Sequence, residues 1–167
     1  MPLREVRIAT TLIYDIGANN GDDIVYNEKK ADHVVAVEAN PALCDVIRTR
    51  YADQISSGAL VVENVVLTHE ARDADILFDI HRTKHVLSQL PAPPASHAAA
   101  FEAIALPALS VAELVARHGQ PHSVKIDLEY YEARVLRTLF ASGVFPDYLS
   151  VEVHQLDVFA QLVTEGR

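Results

Sequence analysis

Val34-Val35-Ala36-Val37 is apolar at every position, and a strand without a polar face has to be covered on both sides. That requirement narrows the fold more than any other feature of the chain. Antiparallel sheets commonly leave one face to water and alternate in polarity, whereas parallel sheets carry crossover helices on both faces. The rest of the pattern agrees. Leu12 to Ile16 reads as a short buried strand closed by Gly17, Asp22 to Ala31 as a polar, weakly periodic helix, and Val34 to Glu38 as the next strand. Asn40-Pro41 starts a helix, because Asn caps free backbone N–H groups and Pro is tolerated at the first helical position. Leu43, Val46, Ile47 and Tyr51 fall on one face of that helix, and Gly58 ends the unit. Ala59 to Leu67 reads as a third strand and Asp75 to Ile80 as a further one.

Leu90 to Ala100 holds Pro91, Pro93 and Pro94 and reads as a loop, of a length that lids and binding loops often have. Ser110 and Glu113 have capping-box spacing and open a helix that runs to about His118, with Gly119 and Pro121 behind it. Ser123 to Asp127 is a strand. Tyr131 to Ser142 is a helix with Val135, Leu136, Leu139 and Phe140 inward. Tyr148 to Val153 is a strand, and Leu156 to Glu165 a last amphipathic helix. Strand–helix alternation of this kind predicts one α/β domain over residues 1–167, with a mainly parallel sheet, right-handed crossovers and helices on both faces. In such sheets ligands bind beyond the carboxyl ends of the strands.

Charge excludes some partners. Fourteen Lys and Arg stand against 23 Asp and Glu, a formal net charge of −9 over 167 residues. Binding to phosphate backbones or anionic lipid runs on positive charge, so no nucleic acid and no membrane surface is expected as a partner. No apolar run approaches the roughly 20 residues of a membrane-spanning helix. Met1 to Arg7 is charged and no apolar stretch follows it, so no secretory signal is read there. Cys44 is the lone cysteine, which fits a cytoplasmic location and, by its place between periodic positions, packing. His81, His85, His97, His118 and His122 fall in loop-like stretches and read as solvated.

The chemistry gathers at strand ends. The first strand runs into Asp15-Ile16-Gly17-Ala18-Asn19-Asn20-Gly21, and the second ends in Glu38, 17 residues after Gly21. Glycines permit a tight turn and close approach of a ligand. An acidic residue at the end of the second strand accepts hydrogen bonds from both ribose hydroxyls. The order describes a nucleoside site. It is not the dinucleotide fingerprint, because the glycine that admits a pyrophosphate is missing between Gly17 and Gly21. Asp15 would set an anion beside phosphates, whereas an anion beside an ammonium or sulfonium is favourable. S-adenosylmethionine, with an adenosine, an amino group, a sulfonium and no phosphate, fits that pattern.

Four blocks of residues resemble a family. Asp15-Ile-Gly-Ala-Asn-Asn-Gly-Asp-Asp23, Val35-Ala-Val-Glu-Ala-Asn-Pro41, Val124-Lys-Ile-Asp-Leu-Glu129 and Ser150-Val-Glu-Val-His154, in this order, are similar to the FkbM-type S-adenosylmethionine-dependent methyltransferases. The resemblance implies a Rossmann-like methyltransferase sheet and methylation of hydroxyl oxygens on small molecules and sugars. By match it implies Asp15, Gly17, Ala18, Asn19, Asn20, Gly21, Glu38, Ala39 and Asn40 at the cofactor, with Val65 and Val66 flanking the adenine. Two departures carry expectations. Tyr130 stands where the family usually has Gly, so the turn after Glu129 is expected to be rebuilt, since bulky residues avoid positive φ. The usual sixth and seventh strands are missing, which leaves strand 148–153 at a sheet edge, where a second copy is expected to pair.

On the acceptor side, Lys125, Asp127 and Glu129 share a face if their strand persists, and Glu152 and His154 share one at the end of the next strand. Asp127, Glu152 and His154 are the catalytic candidates, with Asp127 or His154 taking the acceptor's proton as the methyl group moves. Such a cluster is also a donor set for a divalent ion, though no metal ligand is assigned. The plain alternative is a salt-bridged strand end, Lys125 with Glu129 or Glu152. At the level of function the alternative is a shortened methyltransferase-like domain that binds the nucleoside or a protein partner without catalysis.

Overall fold

Every residue of the first strand, β1 (Leu12–Ile16), is buried, as a run without a polar face requires. The computed structural model describes residues 10–90, 92–153, 160 and 162–164. After β1 come α1 (Ile24–Asn27), β2 (His33–Val37), α2 (Pro41–Arg50), α3 (Ala52–Ser57), β3 (Leu60–Glu63), β4 (Val66–Thr68) and β5 (Ile76–His81). Then follow β6 (Phe101–Leu106), β7 (Ala108–Ser110), α4 (Val111–His118), β8 (Ser123–Ile126), α5 (Glu132–Ala141) and β9 (Tyr148–Val151). The central sheet has the order β3-β2-β1-β8-β9, and every pairing in it is parallel.

Alternate residues of these strands feed two cores. Tyr14, Ile16, Val35, Val37, Val124 and Ile126 pack on one face, with Leu114 of α4 and Leu136 and Leu139 of α5. Val34, Ala36 and Leu60 pack on the other, with Ile24, Ile47 and Tyr51. Helices therefore cover both faces, as the apolar strands demanded. None of the described helices is long and apolar enough to cross a membrane.

Several elements depart from the sequence expectation. The helix expected over 22–31 shrinks to α1, whose one buried residue is Ile24; too little apolar surface is at hand to extend it. On α2 the buried residues are Cys44 and Ile47, while Val46 is 47% exposed, so the inward face is rotated from the one expected. The strand expected over 59–67 is two strands in two sheets, because Asn64 donates to the carbonyls of Glu38 and Ala39 and anchors the break between β3 and β4. β4 pairs with β7 in parallel, and β5 pairs with β6 antiparallel. Neither β6 nor β7 is visible in the sequence; β6 is largely solvent-facing and rich in Ala, and its partner is distant in the chain.

The order of the central sheet locates the site. The chain builds outward from β1 through β2 to β3, then crosses to the other side of β1 for β8 and β9. β1 and β8 are thus neighbours whose following segments leave in opposite directions, which opens a crevice at their carboxyl ends.

Candidate functional site

At that crevice the two strands leave no room for a side chain. Gly17 follows β1 with φ of +80°, and a Cβ on it would lie 1.7 Å from the Asp127 carbonyl oxygen. Glycine is required there by contact and by backbone conformation together. The Gly17 and Ala18 amides both donate to the Val37 carbonyl, at 2.9 and 3.1 Å, which lashes the turn to β2. Asn19 then takes φ of +51°, which Asn tolerates better than most residues, and aims its backbone N–H at Glu38.

Glu38 sits just beyond β2 and is 9% exposed. Its Oε2 accepts from the Asn19 amide and its Oε1 from the Asn40 amide, each at 2.8 Å. Burial pushes its carboxyl up to about 7, against those two bonds, which favour the ionised form. A carboxylate has about four acceptor sites, so acceptor capacity remains for a ligand hydroxyl. Asn40 caps α2, its Oδ1 accepting from the Ala42 amide at 3.0 Å.

The cleft is lined by Gly17, Asn19, Glu38 and Ala39, by the apolar Val65 and Val66, and by Asp127 to Glu129 with Tyr131. Six of the expected cofactor residues therefore meet in one place. The other five do not line it. Asp15 is fully buried behind the turn, ion-paired to Lys125 at 3.3 Å and hydrogen-bonded by Asn27. Burial lifts its carboxyl and Lys125 opposes that lift. Ala18 packs in the core. Asn20 closes a local turn with Asp22. Gly21 faces inward, where a Cβ would stand 3.0 Å from Ile24 and Ile47. Asn40 acts through its cap and its contact to Glu38.

At the acceptor end, β8 stops at Ile126, so the shared face expected for Lys125, Asp127 and Glu129 does not persist as a strand. The turn nevertheless gathers carboxylates: one oxygen each of Asp127, Glu129 and Glu152 lies within 4.8 Å of the others. Burial is the largest cause raising Asp127 to about 7; a hydrogen bond to Glu152 and that residue's charge add to it, and Lys125 opposes. Burial and the neighbouring Glu152 thus both favour the protonated form of Asp127. Lys125 reaches Asp15, Asp23 at 3.0 Å and Asp127 at 3.9 Å. An all-oxygen set of three carboxylates is also what a hard divalent cation accepts. His154 lies outside the described residues, as does most of the helix expected over 156–165.

The turn after Glu129 corrects a second expectation. Tyr130 does adopt positive φ, at +77°, following Glu129 at +47°. Glu132 holds it there: buried at 1% exposure, its Oε1 accepts from the amides of Leu128 and Tyr130 at 3.0 and 3.2 Å. A bulky residue is kept in the conformation a glycine would take, and Asp127 keeps its aim.

Some lining residues carry no sequence signal. Phe78, His85, Ser88 and Leu90 reach the cleft from the arm built on β5, far along the chain from the glycine turn. His85 is exposed, as expected, and it also lines the cleft, its Nδ1 3.3 Å from Asn40 Nδ2. Tyr131 meets His69 Nδ1 at 2.7 Å. His118 is also not free: it pairs with Glu63 at 2.7 Å, and His122 pairs with Asp147 at 2.8 Å. Cys44 is packing, as expected; its Sγ donates to the Glu38 carbonyl, and burial pushes the thiol up to about 12.

Comparisons with known proteins bear on this geometry. The profile of the methyltransferase FkbM domain matches residues 15–164. No curated protein matches the chain. Among solved structures, the methyltransferase FkbM from Methylobacillus flagellatus KT aligns with a TM-score of 0.60 at 14% identity, over 94% of this chain and 38% of that one. At that identity the likeness is one of fold, and the chain spans less than half the length of that relative.

Proposed function

The chain belongs to the FkbM methyltransferase family, and from that premise we propose that it moves a methyl group from S-adenosylmethionine to a hydroxyl oxygen of a small molecule or sugar. One observation carries the reading: a single cleft is lined both by a buried acceptor carboxylate, Glu38, and by a carboxyl that burial and a neighbouring carboxylate raise to about 7, Asp127. The first suits ribose hydroxyls. The second suits a proton acceptor working near neutral pH.

S-adenosylmethionine, when bound, supplies a methyl group on a sulfonium that is already activated. The protein's part is then placement and proton removal. The Gly17 turn leaves space above β1 for the nucleoside, Val65 and Val66 offer an apolar wall to its base, and Glu38 orients the ribose. The acceptor hydroxyl lies against Asp127. With the methyl donor bound, Asp127, with Glu152 beside it, would take the proton that the acceptor hydroxyl gives up on methylation. Most of the rate comes from holding oxygen, carbon and sulfur in line. The lone buried cysteine accords with a cytoplasmic setting for this chemistry.

A second reading keeps the nucleoside site without catalysis. Calorimetry with S-adenosylhomocysteine and with NAD tests the nucleoside site, and transfer of labelled methyl to a panel of small hydroxyl compounds tests the reaction. Binding of NAD in preference to S-adenosylhomocysteine would overturn both readings. Binding of S-adenosylhomocysteine with no transfer to any acceptor would favour the second.

A further inference from the structure

The nucleoside end of the cleft has an acceptor and needs a donor. Glu38 can take the proton of a ribose hydroxyl, but a carboxylate gives nothing back to the lone pairs on that oxygen. The polar side chains lining that end are Asn19, Glu38, His85 and Ser88. Of these, His85 has its protonation fixed by its neighbour. Asn40 Oδ1 is taken by the Ala42 amide at 3.0 Å, in the cap of α2. The amide group of Asn40 is therefore not free to turn over, and it presents Nδ2 to His85 Nδ1 at 3.3 Å. Nδ2 bears only hydrogens, so His85 Nδ1 has to accept. With Nδ1 as the acceptor, the ring's N–H donor is Nε2.

We propose that His85 is a cofactor-positioning residue whose Nε2–H donates to a ribose hydroxyl oxygen of the bound nucleoside, in the tautomer set by the Asn40 helix cap. This inference rests on the nucleoside reading above and adds to it a residue from a distant part of the chain. The same backbone stretch, Asn40, then serves three ends: it caps α2, donates its own N–H to Glu38 at 2.8 Å, and fixes the His85 proton. His85 is exposed at the cleft mouth in the unliganded protein, so a nucleoside held by Glu38 would cover it. Because the β5 arm also places Phe78 and Ser88 on the cleft, the contact ties occupancy of the nucleoside end to the position of that arm.

The experiment uses the whole chain and S-adenosylhomocysteine. His85→Gln places an amide N–H near the position of Nε2, and His85→Asn retains only an atom near Nδ1. A neutral hydrogen bond is worth roughly a five- to tenfold change in affinity. Calorimetry is expected to show His85→Gln within about twofold of the unaltered protein and His85→Asn weaker by that five- to tenfold factor, with circular dichroism unchanged. Nitrogen-15 NMR of the unaltered protein at pH 8 is expected to show His85 protonated on Nε2. Equal affinities in the two variants, whether both intact or both weakened, would overturn the inference and leave the nucleoside site standing, as would a proton on Nδ1. Failure of the unaltered protein to bind S-adenosylhomocysteine would instead remove the nucleoside reading itself, and this inference with it.

Discussion

Glu38 should make cofactor affinity depend on pH across neutrality. Its carboxyl lies at about 7 in the folded, unliganded protein because it is buried. Ribose hydroxyls donate, so they select the ionised form and pull that value down in the complex. Ligand binding below pH 7 therefore releases a proton, and affinity falls by a factor of ten for each further pH unit. Comparing pH 8 with pH 6, the ionised fraction drops from about nine-tenths to about one-tenth, so S-adenosylhomocysteine should bind about tenfold more weakly at pH 6. Glu38→Gln removes the titrating group. It should also weaken binding at pH 8 by about 1.5–3 kcal/mol, the range for a hydrogen bond to a charged group. The assay is calorimetry at pH 6, 7 and 8 in two buffers of different ionisation enthalpy. The difference between the two proteins cancels titration of the ligand and of Asp127. Parallel pH profiles would refute the reasoning, as would tighter binding at pH 6. The stability sign follows from the same group. Its folded value is raised above the ordinary 4.5, so the stability it contributes is present below pH 4.5 and is lost as pH rises through 7. Glu38→Gln should flatten that decline in thermal melts.

Asp127→Asn should lower turnover by roughly 10²–10⁴-fold, the range for a general base, with S-adenosylhomocysteine affinity nearly unchanged; a raised Michaelis constant at constant turnover would assign it to acceptor placement instead. Gly17→Ala forces a Cβ to within 1.7 Å of the Asp127 carbonyl, so β1 and β8 have to move apart. A melting temperature and nucleoside affinity both equal to those of the unaltered protein would contradict that geometry. Among the described residues β9 pairs on one side alone, with β8. We propose that its other side is paired with a second copy or covered by the 156–165 segment; a strict monomer in light scattering, with fast amide exchange along 148–151, would contradict both.

Local pattern was enough to settle the sheet type, because a fully apolar strand such as 34–37 admits only a two-sided burial. Caps were equally legible: Ser110 with Glu113 and Asn40 with Pro41 appear in the structure as read, since a cap is a contact between near neighbours in sequence. The cofactor end was half legible. Gly17 and Glu38 follow from the strand-turn-helix order, and both line the cleft. Asp15 was assigned to it by the same order, yet its partner is Lys125 on the adjoining strand, a cross-strand register that spacing does not encode. The rest was decided by tertiary structure. Crossing from β3 to β8 creates the crevice; the β5 arm brings Phe78, His85 and Ser88 over it; and Glu152 approaches Asp127 only because β9 lies beside β8. Each is a contact between residues whose neighbours in sequence carry no trace of the other, so its energy enters only when the sheet has assembled. The sequence by itself determined which strands must be buried and where the chain turns; the order of the strands determined which carboxylates meet beyond β8.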